Sequence, residues 1–163
     1  PEYIRELFIR SFGKESVKPP YERVIEKNWL DAFVKLRSET VPCPHCGKET
    51  FIANGYTMGC MYCGEKLTCT GSLKFRRFEL PVFGGVKLYE GQVDDSDGDM
   101  HKIIGEIVRN KKDPGKLALR NLSDTVWKVT LPDNSSRTVD NGGVMPLIKG
   151  FVLSIDTAEG TVN

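Results

Sequence analysis

Hydrophobic residues recur at helical spacing only in the first 40 residues of this chain. One apolar stripe predicts a helix over residues 1–12, which Gly13 ends. A second stripe, beyond two prolines that a helix cannot continue through, predicts a helix over residues 23–38. Two such helices bury too little surface to fold alone, so this segment must pack against something else. The stripes consist of Ile4, Leu7, Phe8 and Phe12, and of Ile25, Trp29, Leu30, Phe33 and Leu36.

Short apolar or alternating runs replace the helical pattern after residue 42. Turn signals such as Asn54-Gly55, Gly84-Gly85 and Asp113-Pro114-Gly115 separate these runs. Many short strands at regular spacing are typical of a β-sandwich or a barrel. The predicted strand segments are ETFIA, KLTCTG, SLKFRRFEL, VKLYEG, HKIIGEIV, KLALRNL, TVWKVTL, SRTV, GVMPL and FVLSI.

Four of the five cysteines form two Cys-x-x-Cys pairs, Cys43 with Cys46 and Cys60 with Cys63. Thiolates are soft ligands, and four of them in tetrahedral geometry suit zinc. The two-residue spacer lets one tight turn aim both sulfurs of a pair at the same ion. The spacing therefore predicts a zinc ribbon with these four cysteines as ligands.

The residues around the cysteines support this interpretation. Gly47 and Gly64 each follow the second cysteine of a pair, where a turn of positive φ is expected. The segment ETFIANGYTMG between the pairs predicts a hairpin. Four cysteines leave no open coordination position, so the zinc is predicted to be structural and to contribute on the order of 10 kcal/mol to folding. His45 is predicted to be an exposed spacer, and Cys69 a strand residue outside the site.

The fold class that follows is α+β and mainly β. A short N-terminal helical pair occupies residues 1–40, a four-cysteine zinc ribbon residues 41–72, and a C-terminal antiparallel β-sandwich residues 73–163. The ribbon lies where helices give way to strands, so the zinc is expected to fix how the β domain is held relative to the helical segment. The chain begins at Pro1 rather than at Met, which indicates a fragment of a longer protein.

Composition and charge argue against some classes of function for this chain. Lys and Arg number 23 and Asp and Glu 22, so the net charge is +1 and no strongly basic face is expected. The basic run LKFRRF is predicted to be an ordinary strand with one wet face, and nucleic acid is an unlikely partner. No run of eighteen apolar residues is present, so no membrane span is predicted. The odd cysteine count and the metal-type spacing favour a reducing, cytoplasmic compartment.

Catalytic motifs are missing from the sequence, which contains neither a GxSxG elbow, nor a P-loop, nor an HExxH pair. The chain is therefore predicted not to be an enzyme. The acidic segment 94–101 leaves one alternative open. The spacing of its carboxylates matches that of the ligands in a calcium-binding loop. Met100, however, lies where that loop needs glycine, so a solvated loop is favoured over calcium binding. The positions counted are Asp95, Asp97, Asp99 and Glu106.

Residues 1–70 resemble the C-terminal end of certain bacterial serine/threonine protein kinases. Those kinases end the catalytic lobe with a phrase close to P-x-x-R-P-S/T-x-x-E-W, and some continue into a zinc ribbon. Here PYER at 20–23 matches the start of the phrase, and Trp29 takes the Trp position. The resemblance implies that Arg23 pairs with the glutamate of an upstream Ala-Pro-Glu motif. The sequence departs from the phrase at Val24, Ile25 and Asn28, which leaves the helix start without an N-cap residue at 25.

Residues 117–156 resemble the second half of forkhead-associated (FHA) domains, which are β-sandwiches that bind phosphothreonine. In that family binding rests on a Gly-Arg pair, a Ser-x-x-His pair and an asparagine. Here Glu106 falls where the arginine is expected, no Ser-x-x-His is present, and Ser123 and Asn141 are the counterparts that remain. A phosphate needs positive charge, ideally a forked arginine. A non-standard basic pocket could come from Arg109, Lys111, Lys112 and Arg120.

Together these patterns predict a non-catalytic, zinc-binding interaction and signalling region of a bacterial serine/threonine kinase. Its expected partner is a protein or a phosphoprotein. The candidate ligand-binding residues are Arg109, Arg120, Ser123 and Asn141. The alternative, from a different class, is a nucleic-acid-binding zinc ribbon followed by a β-barrel, whose affinity would depend steeply on salt.

Overall fold

The computed structural model describes residues 1–14, 24–53, 55–69, 71–93 and 98–163. These residues divide into two units, Pro1–Arg37 and Ser38–Asn163. Strands outnumber helices, and both long helices lie at the N-terminus. The predicted fold class, α+β and mainly β with a four-cysteine cluster, is confirmed.

Two amphipathic helices make up the first unit, as the apolar stripes predict. Helix α1 covers Glu2–Phe12 and α2 covers Glu26–Ser38. Edge-to-face packing of Phe8 on Trp29, with ring centroids 5.0 Å apart, joins them. The first three residues of the predicted second helix do not join α2: residue 23 lies outside the described residues, and residues 24 and 25 precede the helix.

The start of α2 is held by a side chain that the sequence interpretation undervalued. The Oδ1 atom of Asn28 accepts a hydrogen bond from the Ile25 backbone N–H at 3.1 Å. This is the bond that the third helical residue of a capping box returns to the cap position. Asn28 therefore supports the helix start although residue 25 has no capping side chain.

The metal-binding segment consists of two separate hairpins. Strand β1 (Thr40–Pro42) pairs antiparallel with β2 (Glu49–Phe51), and β3 (Thr57–Gly59) pairs antiparallel with β4 (Lys66–Thr68). Each hairpin turns through one Cys-x-x-Cys pair. The predicted ETFIANGYTMG hairpin is wrong, because β2 and β3 belong to different sheets. The cysteine turns themselves reverse the chain, so the strands on either side of each turn become neighbours.

Two antiparallel sheets form the rest of the second unit within the described residues. A six-stranded sheet has the order β11-β10-β13-β14-β5-β6, and a four-stranded sheet has the order β12-β9-β8-β7. A short helix, α3, covers Glu90–Val93 between β7 and β8. The strands are β5 (Ser72–Lys74), β6 (Glu79–Pro81), β7 (Lys87–Tyr89), β8 (Ile103–Arg109), β9 (Leu117–Asn121), β10 (Trp127–Thr130), β11 (Ser136–Val139), β12 (Val144–Pro146), β13 (Val152–Ile155) and β14 (Ala158–Val162).

The two sheets enclose one apolar core. Leu119 of the four-stranded sheet and Trp127 and Leu153 of the six-stranded sheet are fully buried. Gly105 on β8 makes room for the Trp127 indole, since a Cβ atom there would lie 2.8 Å from the ring. Glycine normally weakens a strand. Here Gly105 leaves the space that the Trp127 indole, the largest side chain of the core, occupies.

This core continues without a break into the metal-binding hairpins, and Val41, Ile52 and Leu67 belong to the same buried cluster as the sandwich residues. Pro42 lies against Gly85, where a Cβ atom would come within 3.0 Å of the proline ring. The ribbon and the sandwich thus form one unit. The boundary predicted between residues 72 and 73 falls inside β5.

Three further strand assignments differ from the sequence interpretation, the first being β1 (Thr40–Pro42), which was not among the predicted segments. SLKFRRFEL is not one strand but the hairpin of β5 and β6, closed by a 2.8 Å bond from the Phe75 N–H to the Phe78 carbonyl. Arg76 and Arg77 form the bend, because the two flanking phenylalanines are both buried and the residues between them must reverse direction. Strand β14, with the sequence AEGTV, was not predicted, because Val162 is the one strong strand former among its inward-facing residues Ala158, Gly160 and Val162.

Truncating a core side chain should cost far more than truncating a similar exposed one. Leu119 is 0% exposed, and Leu122, just beyond the same strand, is 39% exposed. We expect Leu119→Ala to lower the free energy of unfolding by about 2–5 kcal/mol, and Leu122→Ala by about 0.5 kcal/mol. Urea denaturation followed by circular dichroism measures both. Equal losses would contradict this placement of the core.

Candidate metal centre

Four cysteine sulfurs converge at the turns of the two ribbon hairpins. The Sγ atoms of Cys43 and Cys63 are 3.8 Å apart, as are those of Cys46 and Cys60. All four sulfurs lie within 4.8 Å of one another. A single ion can therefore touch all of them, and the arrangement is that of a metal site. The structure brings together the four cysteines that the spacing singled out.

Both cysteine turns use the same backbone geometry. In each, the glycine N–H donates to the carbonyl of the first cysteine, and the first cysteine's N–H donates to the carbonyl of the residue after the glycine. These bonds measure 2.9 and 2.9 Å in the first turn and 2.9 and 2.8 Å in the second. Gly47 and Gly64 have φ angles of 72° and 73°. The predicted positive φ is confirmed, and it is a conformation that a side chain disfavours.

Two of the four thiols, those of Cys60 and Cys63, have shifted pKa values. Backbone N–H groups of Tyr62 and Cys63 lower the pKa of Cys60 to about 6, and the Tyr62 amide nitrogen lies 3.5 Å from that sulfur. The Glu65 amide lowers the pKa of Cys63, but desolvation and the three neighbouring sulfurs together raise it to about 12. The neighbouring sulfurs therefore disfavour the thiolate form of Cys63 when no cation is present. A bound metal ion would supply the missing positive charge.

The two ribbon hairpins are tied to one another and to the chain that follows. The Met61 N–H in the second cysteine turn donates to Thr50 Oγ1 on β2 at 3.3 Å. The Gly55 N–H donates to the Cys69 carbonyl at 2.8 Å. The first bond joins the two hairpins, and the second joins the chain before β3 to the chain after β4.

The two residues that the sequence places outside the site stay outside it. His45 is exposed in the first turn and does not belong to the cluster found among the described residues. Cys69 is buried, and its thiol donates to the Gly71 carbonyl at 3.4 Å and the Val82 carbonyl at 3.6 Å. Burial raises the pKa of the Cys69 thiol. Cys69 is therefore a packed neutral thiol between ribbon and sandwich.

Of the four candidate ligand-binding residues, Ser123 and Asn141 come together. The Asn141 Nδ2 atom donates to the Ser123 carbonyl at 2.7 Å. The Ser123 hydroxyl donates to Asn121 Oδ1 at 2.7 Å and also lies 3.2 Å from the carbonyl and the hydroxyl oxygens of Thr125. These bonds hold the loop after β9 in shape.

Asn121 is the residue at the centre of this loop, and sequence reasoning missed it. It is 0% exposed, and its Nδ2 donates to the carbonyls of Thr125 at 2.8 Å and Val139 at 2.9 Å. Its Oδ1 accepts both the N–H and the hydroxyl of Ser123. The available signal was an amide residue at an inward-facing position at the end of strand LALRN.

The two arginines do not join Ser123. Arg109 pairs opposite Leu117, six residues before Ser123, which corresponds to about 20 Å of strand. Its guanidinium lies 4.9 Å from the centroid of the Phe83 ring and donates to the Pro114 carbonyl at 3.3 Å. Arg120 is half-buried in β9 opposite Glu106. Arg109 therefore lies apart from Ser123 and Asn141. Lys111 and Lys112, the other predicted members of a basic pocket, are exposed in the bend after β8.

A cavity of about 330 Å³ opens at the Ser123 end of the sandwich. It lies between the chain around α3, the loop from β9 to β10 and the turn from β13 to β14, and we call it the end cavity. Its charged lining residues are Glu90, Lys102, Asp124 and Asp156. These residues are far apart in sequence, so no local pattern could have revealed the site.

The strand that follows the acidic segment 94–101 does not fit the hypothesis of a calcium-binding loop. Asp95 and Asp97 lie outside the described residues. Glu106 is on β8, which confirms that KIIGEIV is a strand and not the exiting helix of a calcium loop. The Asp99 carboxylate accepts the His101 N–H at 2.7 Å.

Comparisons with protein-family models, with curated proteins and with solved structures found no match to this chain. No helix in the described part of the chain is both long and apolar enough to cross a membrane.

The metal site can be tested with one ligand and one non-ligand cysteine. We expect the purified chain to hold about one metal ion, because four thiolates complete a tetrahedral shell. Cys63→Ser, at an exposed position, should lose the metal readily to a chelator, whereas Cys69→Ala should retain it. Elemental analysis after dialysis against a chelator measures the metal in each variant. Equal retention by the two variants would rule out the site.

Proposed function

We propose that this chain is a non-catalytic, zinc-stabilised protein-interaction region at the C-terminal end of a bacterial serine/threonine kinase. The observation that carries the proposal is the closed set of four sulfurs within 4.8 Å of one another. Because such a set leaves no position for water or substrate, the metal stabilises structure and does not catalyse a reaction. The surface that binds a partner protein is therefore expected on the β-sandwich.

Zinc is the metal that this donor set fits. A tetrahedron with zinc–sulfur bonds of about 2.3 Å separates its sulfurs by about 3.8 Å. The distances from Cys43 to Cys63 and from Cys46 to Cys60 are both 3.8 Å. The residues that would hold the zinc are Cys43, Cys46, Cys60 and Cys63. When bound, it supplies cross-linking and charge compensation to a segment with little core of its own.

The helical unit supports the kinase part of the proposal. Trp29, at the family's Trp position, packs between Phe8 and Phe33, with ring centroids 5.0 and 5.7 Å away. The apolar stripe around it is largely exposed, with Phe8, Phe33 and Leu30 each about half accessible. Such a surface is expected where two helices belong to a larger helical lobe. Arg23, the predicted partner of the Ala-Pro-Glu glutamate, lies outside the described residues.

The FHA-like part of the proposal is supported by the two facing antiparallel sheets and by the contact between Ser123 and Asn141. A phosphothreonine site would also need a cation beside them. The cation that lines the end cavity is Lys102, and it already pairs with Glu90 at 2.8 Å. We therefore propose binding of a protein segment that does not depend on phosphate.

The alternative of nucleic-acid binding rests on the ribbon surface. Tyr56 and Tyr62 are 69% and 59% exposed, and the Lys48 ammonium lies 4.8 Å from the centroid of the Tyr62 ring. Aromatic rings beside a cation can stack on bases. This surface is small, and the chain as a whole is close to neutral.

A direct competition between ligand classes tests the proposed function. We expect the zinc-loaded chain to bind pools of short peptides and to show no affinity for a single-stranded oligonucleotide at low salt, because few cations converge on its surface. Fluorescence anisotropy measures both. Oligonucleotide binding that weakens steeply with salt and is lost in Tyr62→Ala would favour the alternative. Val144→Ala, at an exposed position on β12, serves as the control. Hydrolysis of ATP by the chain would contradict the non-catalytic assignment.

A further inference from the structure

The end cavity combines an apolar floor with a charged rim. Ile104 and Ile155 are buried, and Ala158 is half-buried beside them. Glu90, Lys102, Asp124 and Asp156 provide the charged groups of the lining. At about 330 Å³, the cavity is at the small end of the range for ligand pockets, so it suits one long side chain better than a larger molecule.

The rim is negatively charged. Lys102 Nζ pairs with Glu90 Oε1 at 2.8 Å, which lowers the pKa of Glu90 and raises the pKa of Lys102. The Glu90 carboxylate is therefore neutralised within the cavity. Within the described residues, Asp124 and Asp156 form no ion pair at 4.0 Å or less, and both are exposed. Two carboxylates thus remain to attract a cation.

Electrostatics disfavour a phosphate at the same place. A phosphorylated side chain carries about two negative charges and would approach the carboxylates of Asp124 and Asp156. Lys102, the cation in the cavity lining, already has its charge compensated by the Glu90 carboxylate. A lysine or arginine side chain meets the opposite situation, because its aliphatic stem can lie on Ile104 and Ile155 while its charged end reaches the rim.

We propose that the end cavity binds a lysine or arginine side chain of a partner protein. The proposal rests on the proposed function of the chain as a protein-interaction region, and it names the chemical class of the residue that is recognised. The two unpaired carboxylates supply the selectivity, and the buried isoleucines supply the contact area.

Two variants separate recognition from folding. Asp124→Asn removes one charge from the rim and keeps the side-chain size. Asp156 has φ 49°, a left-handed conformation that asparagine also adopts readily, so Asp156→Asn should leave the turn intact. Asp140→Asn is the matched control, because Asp140 is exposed in the turn between β11 and β12 and does not line the cavity.

The experiment uses the full zinc-loaded chain and fluorescent peptide pools that differ only in their central residue, which is arginine, lysine, glutamine, glutamate or phosphothreonine. We expect the arginine and lysine pools to bind about tenfold more tightly than the glutamine pool at low salt. Asp124→Asn and Asp156→Asn should each reduce this preference, while Asp140→Asn leaves it unchanged. Asp124→Lys should shift the preference toward the glutamate pool.

Other results would overturn the proposal and locate the error. If the phosphothreonine pool binds most tightly, the chain is a peptide-binding module and the charge assignment of the cavity is wrong. Equal binding of the arginine and glutamine pools, or equal effects of Asp140→Asn and Asp124→Asn, would also reject the cavity as the selective site. If no pool binds to the folded, zinc-loaded chain, the proposed interaction function itself fails.

Discussion

The convergence of four cysteine sulfurs is the constraint on which the Ser38–Asn163 unit depends. Sulfurs within 4.8 Å of one another disfavour full ionisation without a cation, and desolvation together with the neighbouring sulfurs raises the pKa of Cys63. The four ribbon strands are three residues long and occur as isolated pairs, which are marginally stable in water. A metal ion removes the repulsion and closes both hairpins at once. The charge of the ion is thus as important to this segment as its cross-linking.

The apolar core explains why the ribbon is not an independent module. Val41 and Leu67 are buried in the same cluster as Leu119 and Trp127, so the hairpins bury apolar side chains that they could not cover alone. Backbone contact accompanies this packing, because Pro42 lies against Gly85 where any side chain would be crowded. Metal binding and burial of the core therefore stabilise one and the same folded state.

The sequence allowed the local geometry of the cysteine turns to be predicted, but it did not reveal how distant segments come together. The positive φ angles of Gly47 and Gly64 follow from the covalent spacing of a two-residue cysteine turn. The bend at Arg76 carries no glycine, proline or asparagine, so nothing local distinguishes it from a continuous strand. The candidate residues Arg109 and Ser123 are close in sequence. The antiparallel pairing of β8 with β9, however, places them toward opposite ends of β9. The end cavity needs segments more than sixty residues apart, and only the strand order brings them together.

One buried hydrogen bond links the ribbon to the end cavity. Gln92, 2% exposed in α3, donates from Nε2 to Ser38 Oγ at 2.7 Å and accepts the Tyr89 N–H at 3.0 Å. Ser38 lies two residues before β1, which enters the first cysteine turn, while Glu90 and Val93 of α3 line the cavity. Breaking this bond would leave the buried Nε2 of Gln92 without this acceptor at a cost of about 1–3 kcal/mol, so the positions of the two segments are set together. An ion held by the four cysteines would in this way also constrain the chain that lines the end cavity.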